Sequence, residues 1–559
     1  MKIRLVAVNA RYILSCPAVF YVREELSRRL PRGEIDILQC HLGEPFFDIL
    51  LKITDGRPEA VFFSAYVWNA PMVAGLARGV LAALPGVAVV VGGPEAEQAA
   101  FGIPCTVVEG EVEGLPRTFY QDLAAGTLQK HYHSSPAPSF SLPYREEDFG
   151  RHLINRDLYY ESSRGCPFSC SYCCSARGKG VRFLPLTQVR EELAFCLAHS
   201  PRMIRFVDRT FNADRARARL LWEFLAARPE KTVFHFEVAP DLIGPEELDL
   251  LSQVPPGRFR FEIGLQSVHP RVLAAVNRKM DPERALQAVR NLAALGNIHL
   301  HLDLILGLPH ETASMFRESF NRAFGCGVQY LQMGLLKLLP GTPLAREAAR
   351  FAMAAGPDPP YPLLKNRWLT HEELAYLYRF GECVEAFHNN RWFPTLWRYL
   401  RRSCPDPFAF FEDLMEQGAR EGLFERAPTQ EFLTGVLAQA ADRFPERELL
   451  LEILRFDWLA SGKRHLLCAL GQDRLQEEKE RLWKTLPQSL PPLFDPGGRK
   501  GFFKRSVFMR FHRETLETAG LEPQGETALV AFHAKAQGRA EPMVVPLDPD
   551  RLHLGATDL

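Results

Sequence analysis

Three cysteines stand at C-x3-C-x2-C spacing in Gly165-Cys166-Pro167-Phe168-Ser169-Cys170-Ser171-Tyr172-Cys173. A [4Fe–4S] cluster is held by cysteine thiolates and needs four ligands to be closed. Three cysteines within one short loop supply three and leave one iron open to a small molecule. Zinc sites more often show two separated pairs of cysteines, or cysteines with histidines, and no second pair follows here at such spacing. Arg164-Gly165 and Pro167 suit a tight loop after an apparent strand over residues 159–163. Cys174 follows the third ligand directly and reads as a bystander, since neighbours in an extended loop point apart.

This triplet, with an aromatic residue before its last cysteine, resembles the signature of the radical S-adenosylmethionine (SAM) superfamily. The resemblance implies that the open iron chelates the amino and carboxylate groups of SAM. It also implies one-electron cleavage of SAM to a 5′-deoxyadenosyl radical, and hence a reducing donor such as a flavodoxin or ferredoxin.

Length allows about three domains for the 559 residues. Lys plus Arg equal Asp plus Glu at 67 each, which removes a polyelectrolyte argument for nucleic acid. Twelve cysteines without a disulfide rhythm favour a reducing, cytoplasmic setting. The first nine residues read as a strand and not as a signal peptide. Pro71, Arg78 and Pro85 divide the apolar region 60–93 into pieces shorter than the ~20 residues of a membrane span.

Residues 1–125 alternate strands, expected at 3–8, 34–39, 60–64, 87–91 and 106–109, with helices at 19–30 and 72–84. Continuous Val/Ile/Phe strands between helices imply a parallel sheet covered on both faces, with ligands beyond its carboxyl ends. Those ends carry Asn9, Ser64 and Tyr66, Gly92-Gly93, and Gly110-Glu111. Glycines there let a large flat ligand approach the backbone. The Ser-x-x turn after the third strand and the Gly-Gly after the fourth are similar to the cobalamin-binding domains of that superfamily. The Asp-x-His-x-x-Gly motif of many cobalamin proteins is absent. Neither Tyr12 nor Tyr66 is a persuasive cobalt ligand, so the resemblance implies a lower axial site that is empty or held by water. The alternative is a doubly wound domain that binds nothing. Cys16, Cys40 and Cys105 raise a methylthiotransferase-like auxiliary cluster, but they lack its flanking sequence and read as scattered thiols.

Residues 126–157 lack periodicity and read as a linker, with His131 and His133 in a polar loop. A second alternating series occupies 158–345, with strands expected at 203–207, 232–238, 259–263, 299–306 and 330–335. Six strand–helix units match the partial (β/α)6 barrel of the radical SAM core. Working residues of parallel barrels cluster at the carboxyl ends of strands. Resemblance places Asp208 at the SAM amino group, Glu237 at the ribose hydroxyls and Gln266 at SAM or substrate. It places Ile305 and Gly307 at adenine with Tyr172 near the same ring, and Asp303 and Glu311 as weaker candidates.

Residues 346–559 read as a mainly helical domain, with helices at 374–388, 407–416, 429–443, 446–461 and 473–486. A Pro/Gly-rich break follows at 488–501, then a strand with a helix over 504–515, and a hairpin of 527–534 with 542–546. The aromatic run 387–399 reads as core, or as a cap over a barrel mouth. The layout is similar to cobalamin-dependent radical SAM proteins whose C-terminal region has no assigned role.

The expected architecture is α/β: a Rossmann- or flavodoxin-like cobalamin-type domain, a TIM-like radical SAM barrel and a helical domain. The expected function is radical SAM C-methylation using a [4Fe–4S] cluster, SAM and cobalamin. Alternatives are a radical rearrangement or ring contraction, methylthiotransferase-like chemistry, or a non-catalytic cobalamin or redox sensor. The substrate has no signature, and neither membrane nor nucleic acid is expected as a partner.

Overall fold

A computed structural model describes the chain except residues 138, 178–179, 489–493, 495–496, 524, 536–538 and 546–559. The chain divides into two compact units. The first comprises Met1–Thr312 and Leu335–Leu374, and the second Ala313–Gly334 and Ala375–Leu559.

The first unit begins with strands β1 (Lys2–Asn9), β2 (Glu34–His41), β3 (Ala60–Ser64), β4 (Ala88–Gly92), β5 (Thr106–Glu109) and β6 (His131–His133). They pair in parallel in the order β2-β1-β3-β4-β5-β6. The strands are Val/Ile/Phe-rich because both faces are covered. Helix Ala70–Ala83 buries Val73, Leu76, Ala77 and Val80, and helix Pro17–Arg29 buries Val19, Phe20 and Leu26. This order reverses at β1/β3, the switch point where flavodoxin-like sheets bind ligands. Buried Asn69 fixes that point, its Nδ2 donating to the carbonyls of Val8 (2.9 Å) and Ser64 (3.1 Å).

The expected linker contains more structure than its composition suggests. β6 joins the sheet through Val107↔His131, and helix Glu146–Arg151 follows. A three-residue edge strand is too short to show periodicity. Asp148 in that helix is fully buried and pairs with Arg23 of helix Pro17–Arg29 at 2.5 Å.

The second sheet contains β7 (Leu158–Tyr160), β10 (Met203–Phe206), β11 (Val233–Val238), β12 (Phe259–Gln266) and β13 (His299–Leu306), all parallel. Between β7 and β10 lies an antiparallel ribbon of β8 (Ser163–Gly165) and β9 (Val181–Phe183). Burial alternates strictly along β11, β12 and β13. Phe234, Phe236, Phe259 and Phe261 take one face, where Trp222 of helix Arg215–Ala226 lies 5.5 Å from Phe261. His235, Glu237, Glu262, Gly264, Gln266, His301 and Asp303 take the other. That period of two gives the barrel a polar lining. The sixth expected strand forms at Tyr330–Leu335, and beyond it Leu336 N–H donates to Leu306 C=O at 2.9 Å.

The second unit is mainly helical, as expected, with Ala313–Phe324, Pro394–Ser403, Pro407–Arg420, Gln430–Ala441, Arg447–Ala460 and Leu475–Thr485. Phe387, Phe393 and Trp397 are buried, and Trp397 stacks on Phe411 at 5.2 Å. The aromatic run is core. Strands Ser506–His512, Thr527–Ala534 and Ala540–Val544 form an antiparallel sheet. The expected hairpin is thus present with a third strand added, while Pro546 and much of the 488–501 break lie outside the described residues. No described helix is long and apolar enough to cross a membrane.

Candidate cluster and cofactor site

The cysteine loop leaves β8 at Gly165, whose φ is +101° and whose absent Cβ would stand 2.3 Å from Gly180 O. Only glycine fits such a turn. The loop is pinned from outside. Ser171 N–H donates to Val276 O (2.8 Å), and Asn277 Nδ2 donates to Ser169 O and Oγ (2.9 and 2.7 Å).

Cys166, Cys170 and Cys173 line one cavity of about 190 Å³ at the carboxyl ends of β10 to β13. Among the described residues no three His, Cys, Asp or Glu side chains converge on a single ion. The thiols instead share a cavity wall, and a multi-iron cluster is gripped at separate corners. Cys173 is held low, at about 5, by the Cys174 thiol with Ser175 and Arg209, although burial opposes this. The thiolate is the ligating form. The donor set therefore fits the cluster that the spacing implied.

Tyr172, Glu237 and Gln266 line the same cavity, as does Asp303. Burial pushes Glu237 up to about 8, against the pull of Arg209 at 3.9 Å. Asp303 pairs with His301 at 2.9 Å, and Glu262 with His235 at 3.2 Å. Gln266 sits at φ +70° after a register shift between Gly264 and Gln266, and its Oε1 is buried without a hydrogen bond. Bulges beside active sites re-aim side chains in this way.

Asp208 does not line the cavity. Its carboxylate is buried and accepts from Ser162 N–H (2.9 Å), Ser162 Oγ (2.6 Å) and Ser163 Oγ (2.7 Å). It thereby ties the end of β10 to the strand that leads into the cysteine loop. Gly307 also lies away from the lining: its carbonyl accepts from Asn366 Nδ2 at 2.9 Å, and a Cβ would meet Leu363 at 2.5 Å. Ile305 is on the inner face of β13 but outside the lining, and Glu311 is engaged by Ser267 Oγ at 2.6 Å. Arg209, at the β10 strand end beside Asp208, lines the cavity, as do Glu262 and Arg278, which were not anticipated. Alternation along β12 signals Glu262; nothing in the local sequence signals Arg278.

A second cavity, of about 320 Å³, opens at the carboxyl ends of the first sheet. Ser64, Tyr66, Gly92, Gly93, Gly110 and Glu111 all line it, over an apolar floor that includes Leu5, Val22, Phe62 and Phe119. Asn9 does not; its Nδ2 donates to Gln39 Oε1 at 3.3 Å. Gly93 has φ +103°, and a Cβ there would stand 2.4 Å from Ala65 O. The buried Ser64 hydroxyl, beside Cys16 and Tyr66, makes no hydrogen bond of good geometry. A backbone kept bare and an unsatisfied hydroxyl fit a large ligand with a flat or apolar part. The auxiliary thiols do not assemble, because Cys40 is near the carboxyl end of β2 whereas Cys105 precedes β5.

Arg164, the last residue but one before Cys166, lies in the wall of this second cavity. It pairs with Glu111 (3.1 Å), Glu113 (2.9 Å) and Glu161 (2.8 Å), and Arg182 also engages Glu111.

Residues 160–323 match the Radical SAM superfamily, and residues 349–490 match a protein family of unknown function, DUF4080. The 2-(S-pantetheinyl)-carbapenam-3-carboxylate methyltransferase of Streptantibioticus cattleyicolor is 25% identical over 438 residues, 66% of this chain and 62% of that protein. A ribosomal protein uS12 methylthiotransferase, RimO of Roseiflexus castenholzii, is 26% identical over 58% of this chain and 67% of its own. The cobalamin-dependent radical SAM methyltransferase TokK of Streptomyces tokunonensis is 26% identical over 54% of this chain and 50% of its own. The chain thus spans less than two thirds of two of these relatives. The structure of OxsB, a cobalamin-dependent SAM radical enzyme with aqua-cobalamin bound, superposes with a TM-score of 0.57 at 14% identity, covering 82% of this chain and 80% of that one. Such a domain implies a [4Fe–4S] cluster, SAM and a reductant. The matched residues hold the cysteine loop and the strand ends around it: residues 160–323 of this chain are a radical SAM domain.

Proposed function

We propose that this chain is a cobalamin-dependent radical SAM methyltransferase acting on a carbon centre of its substrate. The observation that carries the reading is the pairing of two cavities. A thiol-lined cavity and a glycine-edged cavity lie in one unit, and Arg164, in the wall of the second, stands two residues before Cys166 of the first.

Cys166, Cys170 and Cys173 would hold the cluster, while Ser64, Gly92, Gly93 and Gly110 would face the corrinoid. When bound, these groups supply reductive cleavage of SAM and a transferable methyl group. The chain's own residues position and shield. Glu237, kept largely protonated at neutral pH by burial, can donate a hydrogen bond as well as accept one. Tyr172 and Gln266 present a ring and an unsatisfied amide oxygen to whatever fills the cavity. Asp208 acts at one remove, by holding the Ser162–Ser163 turn. The donor class remains a flavodoxin or ferredoxin.

Anaerobic reconstitution with iron, sulfide and hydroxocobalamin, followed by desalting, tests the reading. One corrinoid retained per chain beside the cluster, with 5′-deoxyadenosine and S-adenosylhomocysteine formed under reductant, is the expected result. A cluster without retained corrinoid would sink the cobalamin assignment and leave hydrogen-abstraction chemistry.

A further inference from the structure

We propose that Arg278 is the charge partner of the cluster: it donates to the sulfur of Cys170 and raises the cluster's reduction potential. The proposal rests on the reading of Cys166, Cys170 and Cys173 as cluster ligands, and it needs neither the corrinoid nor methyl transfer.

Residues 276–278 meet the cysteine loop one by one. They leave helix Pro270–Ala275 through Asn277, whose φ of +52° is a left-handed conformation that asparagine adopts at helix ends. Arg278 N–H donates back to Leu273 O at 2.9 Å and closes the turn. On the loop side, Val276 O accepts from Ser171 N–H, and Asn277 Nδ2 donates to Ser169 O and Oγ. Between those contacts, Arg278 Nη1 reaches Cys170 Sγ at 3.8 Å and Tyr172 OH at 3.5 Å. Its Nη2 donates to the Gly264 carbonyl of β12, so the guanidinium is held from the sheet as well as from the loop.

Arg278 lacks a carboxylate. Its remaining contact is the Met280 thioether at 3.9 Å, and its Nε is buried without a hydrogen bond. Among the described residues it makes no ion pair; Glu262 and Asp303, which share its cavity, pair with His235 and His301. At Cys166 the corresponding neighbour is neutral, the Thr210 hydroxyl 3.6 Å from the sulfur.

The consequence follows from charge. A cluster on three thiolates gains one negative charge when it takes an electron from its reductant. A cation held against a ligand sulfur favours that more negative state, and a charge-assisted N–H···S bond acts in the same direction. Arg278 thereby makes the cluster easier to reduce.

The test uses full-length protein reconstituted anaerobically with iron and sulfide, without SAM or corrinoid. A dye-mediated titration with titanium(III) citrate, followed by EPR of the reduced cluster, gives the midpoint potential. R278Q should hold as much iron as the wild type and shift the one-electron equilibrium tenfold toward the oxidised cluster, a fall of about 59 mV. R278K keeps a charge without the fork and should stay within about threefold of the wild type. A loaded R278Q cluster at the wild-type potential would overturn the proposal, and a simultaneous tenfold loss of SAM affinity would assign Arg278 to SAM. An R278K shift as large as that of R278Q would also overturn it. Where R278Q holds no cluster, arginine labelled with nitrogen-15 at the guanidinium decides. Pulsed EPR of the reduced wild type should then show a nitrogen coupling that R278K lacks, and identical spectra would overturn the proposal. A wild type that loads no cluster would overturn the cluster reading and this proposal together, whereas a loaded cluster with an unshifted potential overturns this proposal alone.

Discussion

Arg164 Nη1 lies 3.1 Å from Glu111 Oε2, so the residue two places before the first cluster cysteine is held by the end of a strand in the N-terminal sheet. Glu113 and Glu161 complete the shell, and the rings of Tyr21 and Phe140 stand 4.9 and 4.3 Å from the guanidinium carbon. Removing the cation from three enclosed carboxylates leaves charges uncompensated, at a cost of about 3 kcal/mol or more. R164M is expected to lower the denaturation midpoint and to reduce both iron loading and corrinoid retention. Full retention of both cofactors would show that the two cavities are independent.

Gly93 lines the N-terminal cavity and not the thiol cavity. A Cβ would press on Ala65 O at 2.4 Å, and φ of +103° is disfavoured for any side chain. G93A should cost about 1–3 kcal/mol of local strain and abolish corrinoid retention, while iron content and 5′-deoxyadenosine formation persist. Equal loss of iron would mean that the substitution unfolds the whole unit.

Cys170 and Cys174 separate ligand from bystander. C170A should lose the cluster and SAM cleavage together. C174A should keep both, although the Cys174 thiol contributes to holding Cys173 low; the expected cost is slower reconstitution at pH 6. Iron analysis and quantified 5′-deoxyadenosine decide it, and a C174A protein without iron would make Cys174 a participant.

Much of this architecture was legible because its signals are local. The cysteine spacing, the glycines after β4 and the apolar runs of both sheets each lie within a few residues. Glu237 and Gln266 were reached by the same logic of strand ends, and both line the cavity. What escaped was long-range. β6 exists only through its pairing with β5. Arg164 acts through Glu111 and Glu113, some fifty residues earlier in the chain. Asp208 has the strand-end position expected of a SAM contact, yet its oxygens are taken by Ser162 and Ser163. Resemblance can locate a strand end; whether the side chain turns to the cavity or to the neighbouring turn depends on partners that sequence order does not display.

The helical unit carries its own titrating group. Asp457 is buried on helix Arg447–Ala460 and accepts the backbone N–H of Thr395 (3.1 Å) and Leu396 (3.0 Å), capping helix Pro394–Ser403. Burial outweighs these bonds and pushes its carboxyl from 3.8 up to about 7. The folded state therefore holds a proton that the unfolded state releases between those values. The stability owed to this group is complete below pH 4 and is lost as pH rises through 7, with a slope of at most about 1.4 kcal/mol per pH unit. D457N cannot titrate and keeps one carbonyl oxygen for the cap. Urea unfolding of the full chain without cofactors at pH 5, 6 and 7 should show a wild-type midpoint falling with pH more steeply than that of D457N. Parallel curves would mean that Asp457 is ionised throughout, a plain helix cap whose two N–H bonds outweigh its burial.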